Sequence, residues 1–387
     1  MRTFQKALFH SGMILFCMIF VTGCWDKHEL NDRAIIMGVG LDQGDDDSVI
    51  ISMQIARPSG LGTNEQPENE TGAFEYVESK GKNWMDAAQH SAFQISRYRF
   101  FGQRRVIFIG ENLARHGLKN MLDEFSRDTQ VRLRTDMVVI QGGEARDQLK
   151  KSRPFERVPV LSDIKLHTAI GGKSGDTTFR DFLIDVLSDG ASPTLVSMNG
   201  NQVTGRAVFN SDLKLVGYLT MDEAINRLWI TGGLKQYVYT FRVPQFNGLV
   251  SLQTSKFRRD ITTKIVDNKA HINIALSAVA DLQENDSSVN MYETHHLQTV
   301  QQAFNRYLQK SMTDMVKRTQ EEYGIDVFQL GEVIHRQHPI QWRDMKNDWN
   351  RNGFQNAQIT VNVYTTIKRA GLTTLPLQLN EGDQSNS

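Results

Sequence analysis

Cys24 is the residue whose type and setting most clearly permit chemistry. It follows Val21-Thr22-Gly23, an aliphatic residue and two small ones, at the end of an apolar stretch, and Trp25-Asp26 comes directly after it. A thiol placed there can be alkylated by diacylglycerol at a membrane surface, and the small residues before it leave the bond to Cys24 open to a peptidase. Other candidate motifs fail on spacing. Gly172-Lys173-Ser174 has the end of a phosphate loop, but the first glycine of that motif would fall at His167, so the tight backbone cradle is missing and a surface turn is expected. Gly38-Val39-Gly40 would need a third glycine at Gln43 to approach a dinucleotide, and it fits a strand needing close backbone packing instead. Glu332, His335 and His338 lack the paired-histidine zinc spacing with an intervening glutamate. His295-His296, adjacent in sequence, are expected to point different ways on a helix. No serine occupies a Gly-x-Ser-x-Gly elbow. No catalytic residue, metal site or cofactor is therefore expected.

The element that must position Cys24 is the amino terminus. Arg2 and Lys6 precede an apolar stretch of 15 residues, Ala7 to Val21, interrupted by His10, Ser11 and Gly12. That is signal-peptide order, and it is short of the roughly 20 residues that a helix needs to cross a bilayer core. The segment and its ending resemble a bacterial lipobox, which predicts removal of residues 1–23 and a lipid on Cys24. One acyl chain binds membrane only marginally, and two hold firmly, which is what diacylglycerol supplies.

Cysteine usage agrees. The other cysteine, Cys17, lies in the segment to be removed, so the mature chain keeps neither a free thiol nor a disulfide. Without Arg2 and Lys6, 42 basic residues face 44 acidic ones, a net charge of −2. Nucleic acid is excluded as a partner on that balance, since phosphate neutralisation needs a clustered basic surface. Arg97, Arg99, Arg104 and Arg105 read as the solvated ends of an apolar strand.

Behind Cys24 the pattern predicts an α+β fold: three mixed domains with largely antiparallel sheets flanked by helices, and one long amphipathic helix in the last domain. Ala34 to Asp42 and Val49 to Ala56 form a hairpin. Residues 57–72 are polar and rich in Gly and Pro, a loop. Trp84, Ala87, Ala88, Ser91, Ala92 and Ile95 share a helical face. Val106 to Ile109 and Met137 to Ile140 are short apolar strands, and Leu118, Met121, Leu122 and Phe125 repeat the helical spacing. A helix carrying Phe179, Phe182, Leu183 and Val186 ends at Asp189-Gly190-Ala191-Ser192-Pro193, where the first boundary is set. Arg206 to Phe209 and Lys214 to Tyr218 form a second hairpin, followed by a capping box, Thr220 with Glu223. Leu249 to Arg258, Ile261 to Val266 and Ile272 to Val279 are strands, Val300 to Val316 spans the long helix, and alternation at Ile359, Val361 and Val363 closes the core. The expected units are 24–195, 196–250 and 251–377, with a disordered tail at 378–387.

These residues resemble a known family. Gly23-Cys24-Trp25-Asp26 with Glu29-Leu30-Asn31-Asp32 and the strand from Ile36 to Asp42 are similar to the start of the Ger(x)C family, lipoprotein C subunits of spore germinant receptors. Ala207-Val208-Phe209, Leu215-Val216-Gly217-Tyr218-Leu219 and Glu223-Ala224 continue the resemblance, which is strongest at Gly331, His338-Pro339, Trp342, Trp349 and Arg369-Ala370-Gly371. It covers nearly the whole mature chain. The resemblance implies a hydroxyl residue in many relatives where Ala370 stands.

The resemblance implies three mixed α+β domains. It further implies a non-enzymatic subunit at the outer face of the inner spore membrane, held by diacylglycerol on Cys24 beside two integral-membrane receptor subunits of A and B type. The complex would answer small nutrients, and direct nutrient binding by this subunit is left open. Trp342 and Trp349, seven apart, are expected to bury against the last sheet; the alternative is an aromatic surface, here or in the first domain, that docks on a membrane subunit. A solute-binding lipoprotein feeding an importer is the rival function, for which two lobes of repeated βα units would be expected.

Overall fold

A computed structural model describes residues 32–56, 74–127, 131–151, 159–161, 177–267, 269–287 and 289–369, together with positions 5 and 10. Cys24, the 57–72 loop, Gly172-Lys173-Ser174 and the tail lie outside the described residues.

The first sheet has nine strands: β1 (Arg33–Gln43), β2 (Val49–Ala56), β3 (Phe74–Gly81), β4 (Tyr98–Phe100), β5 (Val106–Gly110), β6 (Asp136–Ile140), β7 (Thr194–Asn199), β8 (Gln202–Phe209) and β9 (Leu215–Thr220). Their order is β3-β2-β1-β5-β6-β7-β8-β9, with β4 beside the start of β1. Its centre is parallel, β1-β5-β6-β7, and antiparallel hairpins flank it on both sides. The uninterrupted apolar runs of β5 and β6 follow from that position, because a central parallel strand is covered on both faces. Ile107, Ile109, Met137 and Val139 enter one core, and Val106, Phe108, Val138 and Ile140 the other.

Helices cover both faces. α1 (Trp84–Ala92), α2 (Glu111–His116), α3 (Lys119–Arg127) and, further along the chain, α5 (Phe179–Val186) fill one core, whereas α4 (Ala145–Lys150) fills the other. α4 lies on the glycines of β1: a Cβ on Gly38 would meet Leu149 Cδ2 at 3.1 Å, and one on Gly40 would meet the Ala145 carbonyl carbon at 3.2 Å. The close-packing reading of Gly38-Val39-Gly40 therefore holds. Asp42, at the far end of the same strand, caps α4 by accepting from the backbone N–H groups of Ala145 at 2.7 Å and Arg146 at 2.9 Å.

After α6 (Met221–Thr231), whose Thr220–Glu223 capping box is present, the chain builds a second sheet. β10 (Gln236–Val243), β11 (Gly248–Val266), β12 (Lys269–Asn285) and β13 (Gln358–Arg369) lie in that order. β11 is one strand where two were expected, bent at a bulge between Ser255 and Arg258 with Lys256 at φ 53°. β13 runs parallel to β12, and the crossover between them contains α7 (Thr294–Arg318), α8 (Leu330–Gln337) and α9 (Pro339–Asp348). α7 is the expected long helix. Its Val300, Phe304, Leu308, Met312 and Met315 are buried against the sheet, and the Phe304 ring stacks on Phe241 with centroids 4.9 Å apart.

The molecule is thus an α+β protein of two sheets flanked by helices. The expected 196–250 unit has no sheet of its own: β7, β8 and β9 extend the first sheet, and β10 opens the second. The first sheet continues past the boundary set at 189–193, since β7 pairs with β6. Arg104 also departs from expectation: it is buried, with its guanidinium 4.7 Å from the Phe125 ring centroid.

Candidate functional site at the joint between the sheets

The two sheets meet where the turn after α5 packs on the start of α8. At its centre is Asp326, fully buried, the one acidic residue in Ile325-Asp326-Val327-Phe328. Its carboxylate accepts from the backbone N–H of Phe328 at 2.9 Å and of Gly331 at 2.7 Å, and from Trp349 Nε1 at 3.0 Å. The N–H of Leu330 adds a fourth donor. Leu330 and Gly331 open α8, so Asp326 caps that helix from outside, while Gln329 turns the chain at φ 60°. Burial pushes the carboxyl up to about 6, and these donors pull against it.

Asp326 also ties the halves through its backbone. Its carbonyl accepts from Ser192 N–H at 2.8 Å. Beside it Ser188 Oγ donates to Glu332 Oε1 at 2.6 Å, Gln329 Nε2 to Asp185 Oδ1 at 2.9 Å, and Arg227 Nε to the Val327 carbonyl at 2.7 Å. Lys346 pairs with Asp189 at 2.9 Å at the edge. A second seam lies at the carboxyl end of α7. There Arg318 grips both carboxylate oxygens of Glu223, at 2.8 and 2.6 Å, and donates to the Tyr218 carbonyl of β9 at 3.2 Å.

A cleft of about 450 Å³ opens at the joint, with Asp185, Glu332, Arg259, His335 and Arg336 among its lining. The carboxylates of Asp185 and Glu332 are engaged by Gln329 and Ser188. Arg259 donates to the Ile230 carbonyl at 2.6 Å; burial, and after it the charge of Arg336, holds its pKa below the usual guanidinium range. The cleft offers charge of both signs to a polar group entering it.

The residues singled out from the sequence fall as follows. Cys24 lies outside the described residues. Glu332 and His335 line the cleft, but His338 Nε2 is taken by the Thr263 carbonyl at 2.9 Å, and His335 stacks on Trp342, so the three do not converge. His295 and His296 correct the expectation that they diverge. Their ring centroids are 3.8 Å apart, and one ligand atom from each, with one from Glu293, falls within 4.8 Å of the others, a grouping able to hold a metal ion. At the start of α7 both rings fold back over the preceding turn, where His296 Nδ1 meets the Asn290 carbonyl at 2.8 Å and His295 Nδ1 lies 3.4 Å from Glu293. Trp342 and Trp349 are buried in the core of the second sheet, which removes them as an exposed docking surface. Asp326 and Gly190 were missed. An acid alone in an apolar run was the signal for the first, and Gly190 was read only as part of a helix breaker.

Fold and joint define a class: a two-sheet α+β protein whose halves are locked together by buried polar groups. The family described as "Spore germination protein N-terminal domain" matches residues 26–199, and "Spore germination B3/ GerAC like, C-terminal" matches residues 204–371. The chain belongs to the Ger(x)C family of spore germination proteins. It is similar to spore germination protein KC of Bacillus subtilis (strain 168), at 25% identity across 95% of this chain and 96% of the relative. Spore germination protein B3 of the same organism is 23% identical over 88% of this chain and 92% of its own length. The crystal structure of the GerBC protein shares the fold with a TM-score of 0.57 and 19% identity, covering 85% of this chain and 96% of that one.

Proposed function

We propose that this protein is the lipid-anchored, non-catalytic C subunit of a nutrient germinant receptor in the inner spore membrane, required for nutrient-triggered germination. The observation that carries the reading is the match of both family domains across nearly the whole chain. Relatives named spore germination proteins KC, B3 and A3 support the germination role. The Cys24 setting, small residues before a cysteine at the end of an apolar stretch, supports the anchor. On this reading the diacylglycerol on Cys24 holds the two-sheet body at the outer face of the bilayer beside A- and B-type membrane subunits.

The test is nutrient-triggered release of dipicolinic acid from spores carrying the native gene, a deletion, or Cys24→Ala, with a non-nutrient trigger as control. Loss of the response to one nutrient class in the deletion, with the control trigger intact and Cys24→Ala impaired, is the expected result. Intact nutrient responses in a deletion freed of paralogues would move the assignment to a solute-binding lipoprotein.

A further inference from the structure

We propose that the exposed segment carrying Phe93, Arg97 and Tyr98 rests on the phosphate headgroups of the bilayer that holds Cys24. The inference builds on the anchor reading above and adds the face the body turns to the membrane.

Position comes first. β4 lies in parallel register with the start of β1, pairing Tyr98 with Arg33. Arg33 is nine residues beyond Cys24, so their Cα atoms are at most about 30 Å apart even with the chain fully extended. A body of this length has a radius of gyration of about 20 Å, hence a width of roughly 50 Å. The tether is shorter than the body is wide, so the start of β1 and its neighbour β4 lie within about 30 Å of the membrane, away from the far side of the body.

Chemistry comes second. Phe93, at the carboxyl-terminal cap of α1, is 81% exposed, and Tyr98 is 65% exposed, among the most exposed large apolar side chains in the described residues. Single exposed apolar residues are ordinary, but two exposed aromatic rings five residues apart in sequence, on a segment within tether reach of a lipid attachment, are suited to the interfacial zone, where a ring is half wet and half in acyl chain. Arg97 is exposed and forms no ion pair among the described residues, which leaves its five donors for phosphate oxygens. The same segment borders a groove of about 420 Å³ lined by Ala34, Ile55, Ala56 and Ile95, with Glu75 as its one acidic group. Arg33 contributes a second cation, 4.8 Å from the Phe100 ring centroid.

The test uses the full-length lipidated protein in phosphatidylglycerol-containing vesicles. Phe93→Cys, Tyr98→Cys and Tyr364→Cys are each spin-labelled, which is clean because Cys24 is then acylated and Cys17 removed. Tyr364, 62% exposed on β13, serves as the reference. Labels at 93 and 98 should show an oxygen-over-nickel accessibility ratio several-fold above that at 364, and Arg97→Glu should lower it. With diacylglycerol confirmed on Cys24 by mass spectrometry, labels at 93 and 98 as open to the aqueous nickel complex as that at 364 overturn the docking face and leave the anchor standing. Labels shielded from both reagents point to protein contact and overturn it equally. An unacylated Cys24 overturns the anchor and the inference together.

Discussion

Gly190 and Gly331 pack backbone against backbone across the joint: a Cβ on Gly331 would lie 2.6 Å from Gly190 Cα, and one on Gly190 would lie 2.5 Å from the Gly331 carbonyl carbon. Gly331 is in α8, where alanine is otherwise the better residue by about 1 kcal/mol. Sterics should win. The atoms in the way are backbone and the Trp349 ring nitrogen, also at 2.6 Å, and none is the free end of a flexible chain. Gly331→Ala is expected to destabilise by roughly 2–3 kcal/mol, read as a lowered urea midpoint. Gly190→Ala should behave alike, and the double variant should cost clearly less than the sum, because one alanine already parts the two backbones.

Trp349 and Asp326 make the complementary prediction. Trp349→Phe keeps most of the buried ring and removes the donor at 3.0 Å, so it should cost about 1.5–3 kcal/mol, the range for a hydrogen bond to a charged group. Asp326→Asn should cost as much or more, since its amide brings donors of its own to a place already filled by N–H groups. Equal urea midpoints for Trp349→Phe and the native chain would show that the indole is held by packing alone.

Burial raises Asp42, Asp136 and Asp326 to about 6 each, above the ordinary value of roughly 3.9 for an unfolded aspartate. Between those values the folded chain holds protons that the unfolded chain has released. Each group therefore contributes stability that is full below about pH 4 and lost as pH rises through about 6. Lowering the pH from 7 to 5 should add on the order of 1 kcal/mol of stability per group, read as a raised thermal midpoint. Glu78 and Glu111 act in the opposite sense: burial raises each, but hydrogen bonds, from Tyr76 and Gly142 respectively, outweigh it, and their share is lost only at more acid pH. Asp136→Asn keeps a partner for the Thr177 hydroxyl and should flatten the slope between pH 5 and 7. An unchanged slope would remove Asp136 from the account.

Much of this fold was legible because local signals and burial agree in it. The hairpin of β1 and β2, the Thr220–Glu223 capping box and the face of α7 each announce themselves within a dozen residues. β7 did not: Thr194-Leu195-Val196-Ser197-Met198-Asn199 is short, follows a proline and has no alternation, because it is buried on both sides between β6 and β8. Its pairing places the start of the expected 196–250 unit in the first sheet. The joint was hidden for a different reason. Gly190 and Gly331, or Ser192 and Asp326, are more than 130 residues apart, and nothing local to either names its partner. The histidine pair shows the reverse error, since helix periodicity was applied to His295 and His296 at a helix start, where the side chains follow the turn before it.

The seam at Arg318 gives the last prediction. Its guanidinium meets Glu223 in a fork, Nε to Oε1 and Nη2 to Oε2, and Nη1 donates to the Tyr323 hydroxyl at 2.9 Å. Lysine keeps the charge but cannot make two parallel bonds, so Arg318→Lys should cost about 1–2 kcal/mol. Glu223 has a second duty, for its Oε2 accepts from the Thr220 N–H at 2.8 Å as the closing half of the capping box. Glu223→Gln can keep that cap while losing the charge, which separates the two roles. A double-mutant cycle of Arg318→Lys and Glu223→Gln, read by urea unfolding, should return a coupling of about 1 kcal/mol or more. Additivity within about 0.5 kcal/mol would mean that the fork contributes no stability, and that the end of α7 is held against β9 by the Tyr323 ring, which fits over Gly217 where a Cβ would come within 2.5 Å of it.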